Sequence, residues 1–122
     1  MNTKPIVVLV ENDSQLLKAT ERLLVAYGYE AETHASAESF LLRNAEKPVD
    51  CLVLDINLDG ISGIELQKKL LKLGSAPPII FITGQSDSAT LCSAIDQGCI
   101  AFLNKPFEGH FLHTAIQTAL GL

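Results

Sequence analysis

The fold is best indicated by the stretch Cys51-Leu-Val-Leu-Asp55-Ile-Asn-Leu-Asp-Gly-Ile-Ser-Gly63. Its first four residues are apolar without alternation, which is the pattern of a parallel strand covered on both faces. The run ends at Asp55 and is followed by a short loop. Ser62 and Glu65 then have the spacing of a capping box, which predicts the start of a helix. The stretch therefore predicts a buried strand, a loop that begins at an acidic residue, and a helix.

Similar runs occur on both sides of this stretch. Apolar runs without alternation cover residues 6–10, 51–54, 79–82 and 100–103, and a weaker, alternating run over 30–34 fits an edge strand. Apolar residues at helical spacing lie between the runs, over residues 16–27, 36–45, 62–73, 91–95 and 112–119. Gly28, Gly74 and Gly98 follow three of these segments and are C-cap candidates. The regular alternation predicts one α/β domain over residues 1–122, a (βα)5 unit with a doubly wound, five-stranded parallel sheet.

Composition argues against several classes of protein. The chain has 122 residues, of which 48% are hydrophobic and 19% charged, and this balance is typical of one globular domain. Nine basic and fourteen acidic residues give a net charge of −5, which disfavours a binder of nucleic-acid backbones. No apolar run approaches the about 20 residues of a membrane span, and the N-terminus lacks the pattern of a signal peptide. The three cysteines form no C-x-x-C pair, so buried free thiols in a reducing cytoplasm are expected.

Residues with chemically useful side chains follow each of the four apolar runs. They are Glu11, Asn12 and Asp13 after the first run, then Asp55, Thr83 and Lys105. In an open parallel sheet the carboxyl ends of the strands share one edge, and ligands bind there. Each of these residue types is ordinary in a turn, but the four positions together favour a site. The group fits phosphoryl transfer to an aspartate, with acidic oxygens around Mg²⁺ and with an ammonium and a hydroxyl on the phosphoryl oxygens.

Three blocks of the sequence resemble a known family. Residues 52–63, 79–84 and 102–107 resemble the receiver domain of two-component response regulators, and most of all the nitrogen-fixation regulator type. The match runs through essentially the whole chain in order and spacing. It implies a flavodoxin-like, CheY-like sheet with strand order 2-1-3-4-5. It also implies two-component phosphorelay signalling, without enzymatic turnover beyond self-catalysed phosphorylation and dephosphorylation.

The resemblance also assigns roles to residues at the sheet edge. It implies that Asp55 is the phosphoacceptor, that Thr83 supplies a hydroxyl which moves onto the phosphoryl group, and that Lys105 is the opposing cation. Phe102 occupies the aromatic switch position, and the Lys105–Pro106 bond is expected to be cis. The expected Mg²⁺ ligands are the side chains of Glu11, Asn12 and Asp55 and the backbone carbonyl of Asn57.

The chain departs from the family's pattern at two places. Receivers usually carry a second acidic residue where this chain has Asn12, so the site holds two formal negative charges and we expect weakened Mg²⁺ binding. Two other hypotheses stay open: Asn12 caps the first helix with Gln15 as its polar N3 residue, or Asp13 restores the charge through a shifted turn. Receivers also commonly have Met-Pro where this chain has Leu58 and Asp59, and Asp59 is expected to be solvated.

The resemblance further implies partners. A sensor histidine kinase or a histidine phosphotransfer protein is expected to donate the phosphoryl group, and the output belongs to a downstream protein or to an output domain outside this chain. Direct binding of nucleic acid or of membranes is not expected. The face formed by the fourth predicted helix, the fifth strand and the fifth helix is expected to signal. A weak homodimer through this face is a further hypothesis, because residues 84–122 carry few charges.

Two alternative functions remain open. A phosphorylation-independent pseudo-receiver that acts as a protein-interaction module is favoured by Asn12 and opposed by Asp55, Thr83 and Lys105. A haloacid-dehalogenase-type phosphatase uses a similar set of groups, but it needs an aspartate two residues after the nucleophile, where this chain has Asn57.

Overall fold

The strands and helices of the computed structural model follow the predicted alternation. The structure describes residues 4–43, 46–74, 76–84 and 98–122. Its strands are β1 (Ile6–Val10), β2 (Glu30–His34), β3 (Cys51–Asp55), β4 (Ile79–Thr83) and β5 (Ala101–Asn104). Its helices are α1 (Ser14–Ala26), α2 (Ala37–Leu41), α3 (Gly63–Lys72) and a C-terminal helix (Gly109–Ala119). The predicted helix over residues 91–95 lies outside the described residues.

All five strands are parallel and form one sheet in the order β2-β1-β3-β4-β5, which confirms the predicted fold. The register aligns the carboxyl ends of the strands. Asp55 at the end of β3 pairs with Ile82 of β4, and Thr83 at the end of β4 pairs with Asn104 of β5. The polar residues that follow the strands therefore lie along one edge of the sheet.

Two hydrophobic core clusters explain why the central strands do not alternate. Val8 and Val10 of β1 belong to one cluster, together with residues of α2 and α3. Val7 and Leu9 belong to the other, together with residues of α1 and the C-terminal helix. Because successive side chains of a strand point to opposite faces, both faces of the sheet are covered. β3 and β4 are buried over their whole lengths, and their only polar residues stand at their carboxyl ends.

The start of α1 differs from one of the two hypotheses for it. The cap is Asp13, whose Oδ1 accepts hydrogen bonds from the backbone N–H groups of Gln15 (3.0 Å) and Leu16 (3.2 Å). The hypothesis that Asn12 caps this helix is therefore wrong. The physical reason is that the capping residue directly precedes the first helical residue, which is Ser14.

The other helix ends agree with the sequence patterns except in α2. Ser62 caps α3, since its Oγ accepts from the backbone N–H of Glu65 at 3.2 Å. Gly28 and Gly74 have φ angles of 94° and 72°, which glycine adopts readily after a helix. α2 ends at Leu41, earlier than the predicted residue 45, and just beyond it the Arg43 side chain donates hydrogen bonds to Glu32 of β2. Among the described helices, none has the length and apolar character that crossing a bilayer requires.

Candidate functional site

Side chains of the predicted set meet at the carboxyl edge of the sheet. Glu11 follows β1, Asp55 ends β3, Thr83 ends β4, and Lys105 follows β5. The exposed fractions of Glu11, Asp55 and Thr83 are only 1%, 2% and 1%. Neighbouring parallel strands bring these residues together although they are far apart in the sequence.

Lys105 joins the two buried carboxylates. Its Nζ donates a hydrogen bond to Asp55 Oδ2 at 2.9 Å and lies 2.8 Å from Glu11 Oε1. The contact with Glu11 is an ion pair without good hydrogen-bond geometry, so Glu11 Oε1 is a buried oxygen without a hydrogen-bond donor among the described residues. Two carboxylates and one ammonium give this cluster a net formal charge of minus one.

Burial and charge shift the pKa values of Glu11 and Lys105. The pKa of Glu11 is raised, first because burial disfavours the charged carboxylate and second because Asp55 lies beside it, while Lys105 opposes both effects. Burial alone would lower the pKa of Lys105, but its contacts with Glu11 and Asp55 outweigh burial, and the pKa is raised. Lys105 is therefore a fixed positive charge at neutral pH.

The carboxylate of Asp55 is held from two sides. Its Oδ1 accepts from the backbone N–H of Asn57 at 2.9 Å, and its Oδ2 accepts from Lys105. The first residue of α3, Gly63, passes so close that a Cβ there would overlap the carbonyl oxygen of Asp55. The N–H of Gly63 donates to the carbonyl oxygen of Ile56 at 3.0 Å. The end of β3 and the start of α3 together fix the position of this carboxylate.

Thr83 and Phe102 occupy the positions predicted for the switch. Thr83 Oγ1 is buried and has no hydrogen-bond partner among the described residues. A buried hydroxyl without a partner is unfavourable by about 1–3 kcal/mol, so a ligand that accepts from it would be bound more tightly. Phe102 is half-buried on β5 and stacks against Phe81, with ring centroids 5.8 Å apart. The Lys105–Pro106 bond is cis, as expected.

Asn12 and Asp13 have different partners from those that the sequence suggested. Asn12 is exposed, and its Nδ2 donates to Asp59 Oδ2 at 3.3 Å. Asp13 caps α1 through its side chain, while its N–H donates to Glu11 Oε2 at 3.1 Å. Because Glu11 stays paired with Lys105, the turn is not shifted, and the hypothesis that a shifted Asp13 restores the missing charge is wrong. Asp59 is exposed, as expected, but it is also bonded to Asn12.

The oxygen atoms at this edge fit a Mg²⁺ ion. Mg²⁺ prefers hard oxygen ligands, and the four predicted ligands offer two carboxylates, one side-chain amide oxygen and one backbone carbonyl. Glu11 Oε1 contacts the Lys105 ammonium at 2.8 Å but accepts no hydrogen bond from the described residues, so it has a lone pair that a metal cation could use. Across the part of the chain that the structure describes, no group of three or more His, Cys, Asp or Glu side chains is placed to hold a metal. Weakened Mg²⁺ binding stays a prediction.

Two further features near the site were missed by sequence reasoning. Glu38 of α2 reaches the loop between β3 and α3, where its Oε1 accepts from the N–H of Ile61 at 3.2 Å. A cleft of about 580 Å³ opens beside Lys105, between α1 and the segment after β5. Its lining residues are Asp13, Gln15, Leu16, Ala19, Thr20, Leu23, Lys105, Pro106 and Phe107. Neither feature follows from a local pattern, because each joins segments that are distant in the sequence.

Known proteins resemble this chain in sequence and in fold. The family model of the response regulator receiver domain matches residues 7–117. The chain is 37% identical to the response regulator protein TmoT of Ectopseudomonas mendocina over 117 residues, which is 96% of this chain and 53% of TmoT. The solved structure of the response regulator StyR has a TM-score of 0.88 at 40% identity and covers 98% of this chain, which in turn covers 60% of StyR. FixJ-N has a TM-score of 0.89 at 30% identity, with coverage of 98% and 96%. The chain spans about half the length of the curated relatives it matches.

Proposed function

The chain belongs to the response regulator receiver domain family of two-component phosphorelay signalling, and we propose that Asp55 is its phosphoacceptor. One observation carries this proposal. The Asp55 carboxylate is buried at the edge of the sheet, with Lys105 Nζ at 2.9 Å and the Glu11 carboxylate on the other side of the same ammonium. Asp55 is thus a nucleophile, and Lys105 is a cation that balances the negative charge of phosphorylated Asp55.

The proposed step transfers a phosphoryl group from a phosphohistidine to Asp55. A carboxylate oxygen of Asp55 attacks the phosphorus, the phosphorus–nitrogen bond breaks, and its electron pair returns to the imidazole, which takes up a proton. The product is an acyl phosphate. Lys105 stabilises the charge of the phosphoryl oxygens, and the Thr83 hydroxyl donates to one of them. The side chains of Glu11, Asn12 and Asp55 and the backbone carbonyl of Asn57 would hold Mg²⁺, which would supply further neutralisation of negative charge.

Phosphorylation is proposed to shift a two-state equilibrium of the domain. The Thr83 hydroxyl, which has no hydrogen-bond partner in the described part of the chain, gains an acceptor when Asp55 carries a phosphoryl group, and this favours an inward position of Thr83. Phe102 on the neighbouring strand then has room to turn inward. The change reaches the surface formed by β5 and the C-terminal helix, while the fourth predicted helix of that surface lies outside the described residues.

The proposed donor is a sensor histidine kinase or a histidine phosphotransfer protein. The cleft beside Lys105 supports this choice, because it is an open surface with apolar side chains next to the phosphoacceptor candidate. A downstream protein or an output domain outside this chain would receive the signal. We place the reaction in the cytoplasm, where unpaired cysteines such as Cys51 and Cys99 stay reduced.

Intact-protein mass spectrometry after incubation with acetyl phosphate tests the phosphoacceptor. We expect one added phosphoryl group in the parent chain across a Mg²⁺ series, and none in Asp55→Asn. Asn12→Asp supplies a third carboxylate and should reach half-saturation at a Mg²⁺ concentration lower by about tenfold or more.

Two results would contradict the proposal. No adduct in the parent at any Mg²⁺ concentration, together with a clear adduct in Asn12→Asp, would favour a pseudo-receiver that acts without phosphorylation. Release of more than one equivalent of phosphate from a phosphomonoester would favour a phosphatase.

A further inference from the structure

We propose that Asp59 is a positioning residue, which orients the side-chain amide of Asn12 so that the amide oxygen is available to the metal ion. The inference rests on the proposed function, because it concerns the cation which that reaction uses. Asn12 follows β1 and Asp59 lies in the loop after β3, 47 positions further along the chain. Nevertheless, Asn12 Nδ2 donates to Asp59 Oδ2 at 3.3 Å. Two of the residues at which the chain departs from the receiver pattern are thus in contact.

An asparagine side chain binds a cation through only one of its two ends. The amide oxygen has lone pairs for a metal, whereas the NH₂ group has only donors. Rotation about the last side-chain bond exchanges these ends, and an exposed residue such as Asn12 has little packing to prevent the exchange. The hydrogen bond to Asp59 holds the NH₂ end, which leaves Oδ1 as the end that a cation can use.

The acceptor is a carboxylate, and this strengthens the effect. A negative charge beside the N–H polarises the amide and places more negative charge on its oxygen. Carboxylates that accept from metal-bound histidines act in the same way, fixing the orientation of the ligand and raising its basicity. Asp59 therefore makes the neutral Asn12 a better replacement for an acidic ligand.

The loop that carries Asp59 has contacts of its own besides the one with Asn12. The next residue, Gly60, has a φ angle of 74°, which turns the loop sharply. The N–H of Ile61 then donates to Glu38 Oε1 of α2 at 3.2 Å. Because α2 anchors the loop, Asp59 is presented to Asn12 by a separate set of contacts.

A competing explanation is that Asp59 acts through its charge alone. Its carboxylate would then attract any cation near the cluster of Glu11, Asp55 and Lys105, without a role for the amide of Asn12. Two substitutions separate the explanations. Asp59→Asn keeps a hydrogen-bond acceptor and removes the charge, whereas Asp59→Ala removes both.

The experiment uses Mn²⁺, which prefers the same oxygen ligands as Mg²⁺, and electron paramagnetic resonance to measure free Mn²⁺. We expect Asp59→Ala to weaken Mn²⁺ binding by roughly threefold to tenfold. This is less than the about 10–100-fold typical for loss of an outer partner of a ligand, because the contact is exposed. Asp59→Asn keeps an acceptor and loses only the polarising charge, so it should weaken Mn²⁺ binding less than Asp59→Ala does, by about twofold, because surface charges are screened by salt. Glu65→Ala removes an exposed carboxylate of α3 and serves as the charge control, with a change of less than about twofold.

Asp59→Ala is then combined with Asn12→Asp. Asn12→Asp has no side-chain N–H to position, so Asp59→Ala should change its Kd by less than about twofold. A second readout needs no metal: the side-chain ¹⁵N–H signals of Asn12 should shift in Asp59→Ala and stay in place in Glu65→Ala.

Three outcomes would overturn the inference. Equal losses in Asp59→Ala and Asp59→Asn, or an equal loss in both backgrounds, would show that only charge matters. Unchanged binding in Asp59→Ala would show that Asp59 has no role. Asp55→Ala distinguishes a failure of this inference from a failure of the proposed function. If Asp55→Ala binds Mn²⁺ as well as the parent does, the metal is not at the phosphoacceptor edge, and both the inference and the proposed function are wrong.

Discussion

Lys105 allows Glu11 and Asp55 to lie side by side below the surface. Both carboxylates are at most 2% exposed, and two like charges repel strongly where water is excluded. The ammonium lies within 3 Å of an oxygen of each, at 2.8 and 2.9 Å, and offsets part of that repulsion. Because one net negative charge remains, the cluster attracts a further cation.

Glu32 of β2 shows a carboxylate with the opposite pKa shift. Arg43 donates to it twice, from Nε to Oε2 at 2.6 Å and from Nη2 to Oε1 at 2.9 Å, and His34 Nε2 lies 2.7 Å from Oε2. The hydrogen bonds from Arg43 are the main reason that the pKa of Glu32 falls from 4.5 to about 2. Burial opposes this shift but does not outweigh it.

This lowered pKa predicts a pH dependence of stability. The folded pKa lies below the unfolded one, so the ionised Glu32 stabilises the fold above about pH 4.5, and this contribution is lost as the pH falls toward 2. We expect Glu32→Gln to lower the free energy of unfolding by about 1 kcal/mol at pH 7, a value reduced for partial solvation. The difference from the parent should shrink at pH 3, as measured by urea unfolding.

Glu30→Gln is the matched control, because Glu30 is an exposed carboxylate on the same strand. It should change stability by less than about 0.5 kcal/mol at either pH. A loss in Glu32→Gln that is equally large at pH 7 and pH 3 would count against the electrostatic explanation.

Among the elements, the junction between β3 and α3 matters most for the site. α3 begins directly against the backbone that carries Asp55, and only a residue without a Cβ fits there. The φ angle of Gly63 is not positive, so the requirement is one of space and not of backbone conformation. A helix that began elsewhere would move the loop residues that hold the Asp55 carboxylate.

We therefore expect Gly63→Ala to lower the free energy of unfolding by about 2 kcal/mol or more, because the atom in the way belongs to the backbone and cannot turn aside. Urea unfolding measures the loss. Gly84→Ala is the control: its Cβ would lie 3.7 Å from Lys105 Cδ, which is an ordinary contact, and its stability should stay close to that of the parent. Equal stability of the two variants would contradict the steric explanation.

At the scale of the whole molecule, one polar contact joins segments that are 84 positions apart. The hydroxyl of Tyr29, just before β2, lies 3.0 Å from Nδ1 of His113 on the C-terminal helix. Tyr27 stacks on the same imidazole with ring centroids 4.1 Å apart. Tyr29 is 5% exposed, so its hydroxyl depends on this partner for a hydrogen bond within the described structure.

Tyr29→Phe should lower the free energy of unfolding by about 0.5–1.5 kcal/mol, because it removes the hydrogen bond and leaves the ring in the core. Hydrogen exchange of the C-terminal helix should become faster by a similar free energy. Tyr27→Phe keeps the stacked ring and should have a smaller effect on both measurements. If the two variants lose the same stability, the hydroxyl of Tyr29 does not tie the helix to the sheet.

The architecture was predictable because it depends on properties that a sequence displays locally. Parallel strands covered on both faces require uninterrupted apolar runs, and the runs ended where the polar residues of the site begin. The prediction failed where two neighbouring residues competed for one role. Asn12 and Asp13 are both good caps, and the first helical residue, Ser14, determined which of them was used.

The sequence by itself determined the order of strands and helices and the grouping of Glu11, Asp55, Thr83 and Lys105 at one edge, because the carboxyl ends of parallel strands must share an edge. Only the tertiary structure decided how these groups face one another. It set the bridging position of Lys105, the burial of the Thr83 hydroxyl without a partner among the described residues, and the contact between Asn12 and Asp59. Those contacts join loops that lie far apart in the chain. They depend on the path of each loop to within a fraction of a hydrogen-bond length, and no local pattern of residues encodes that path.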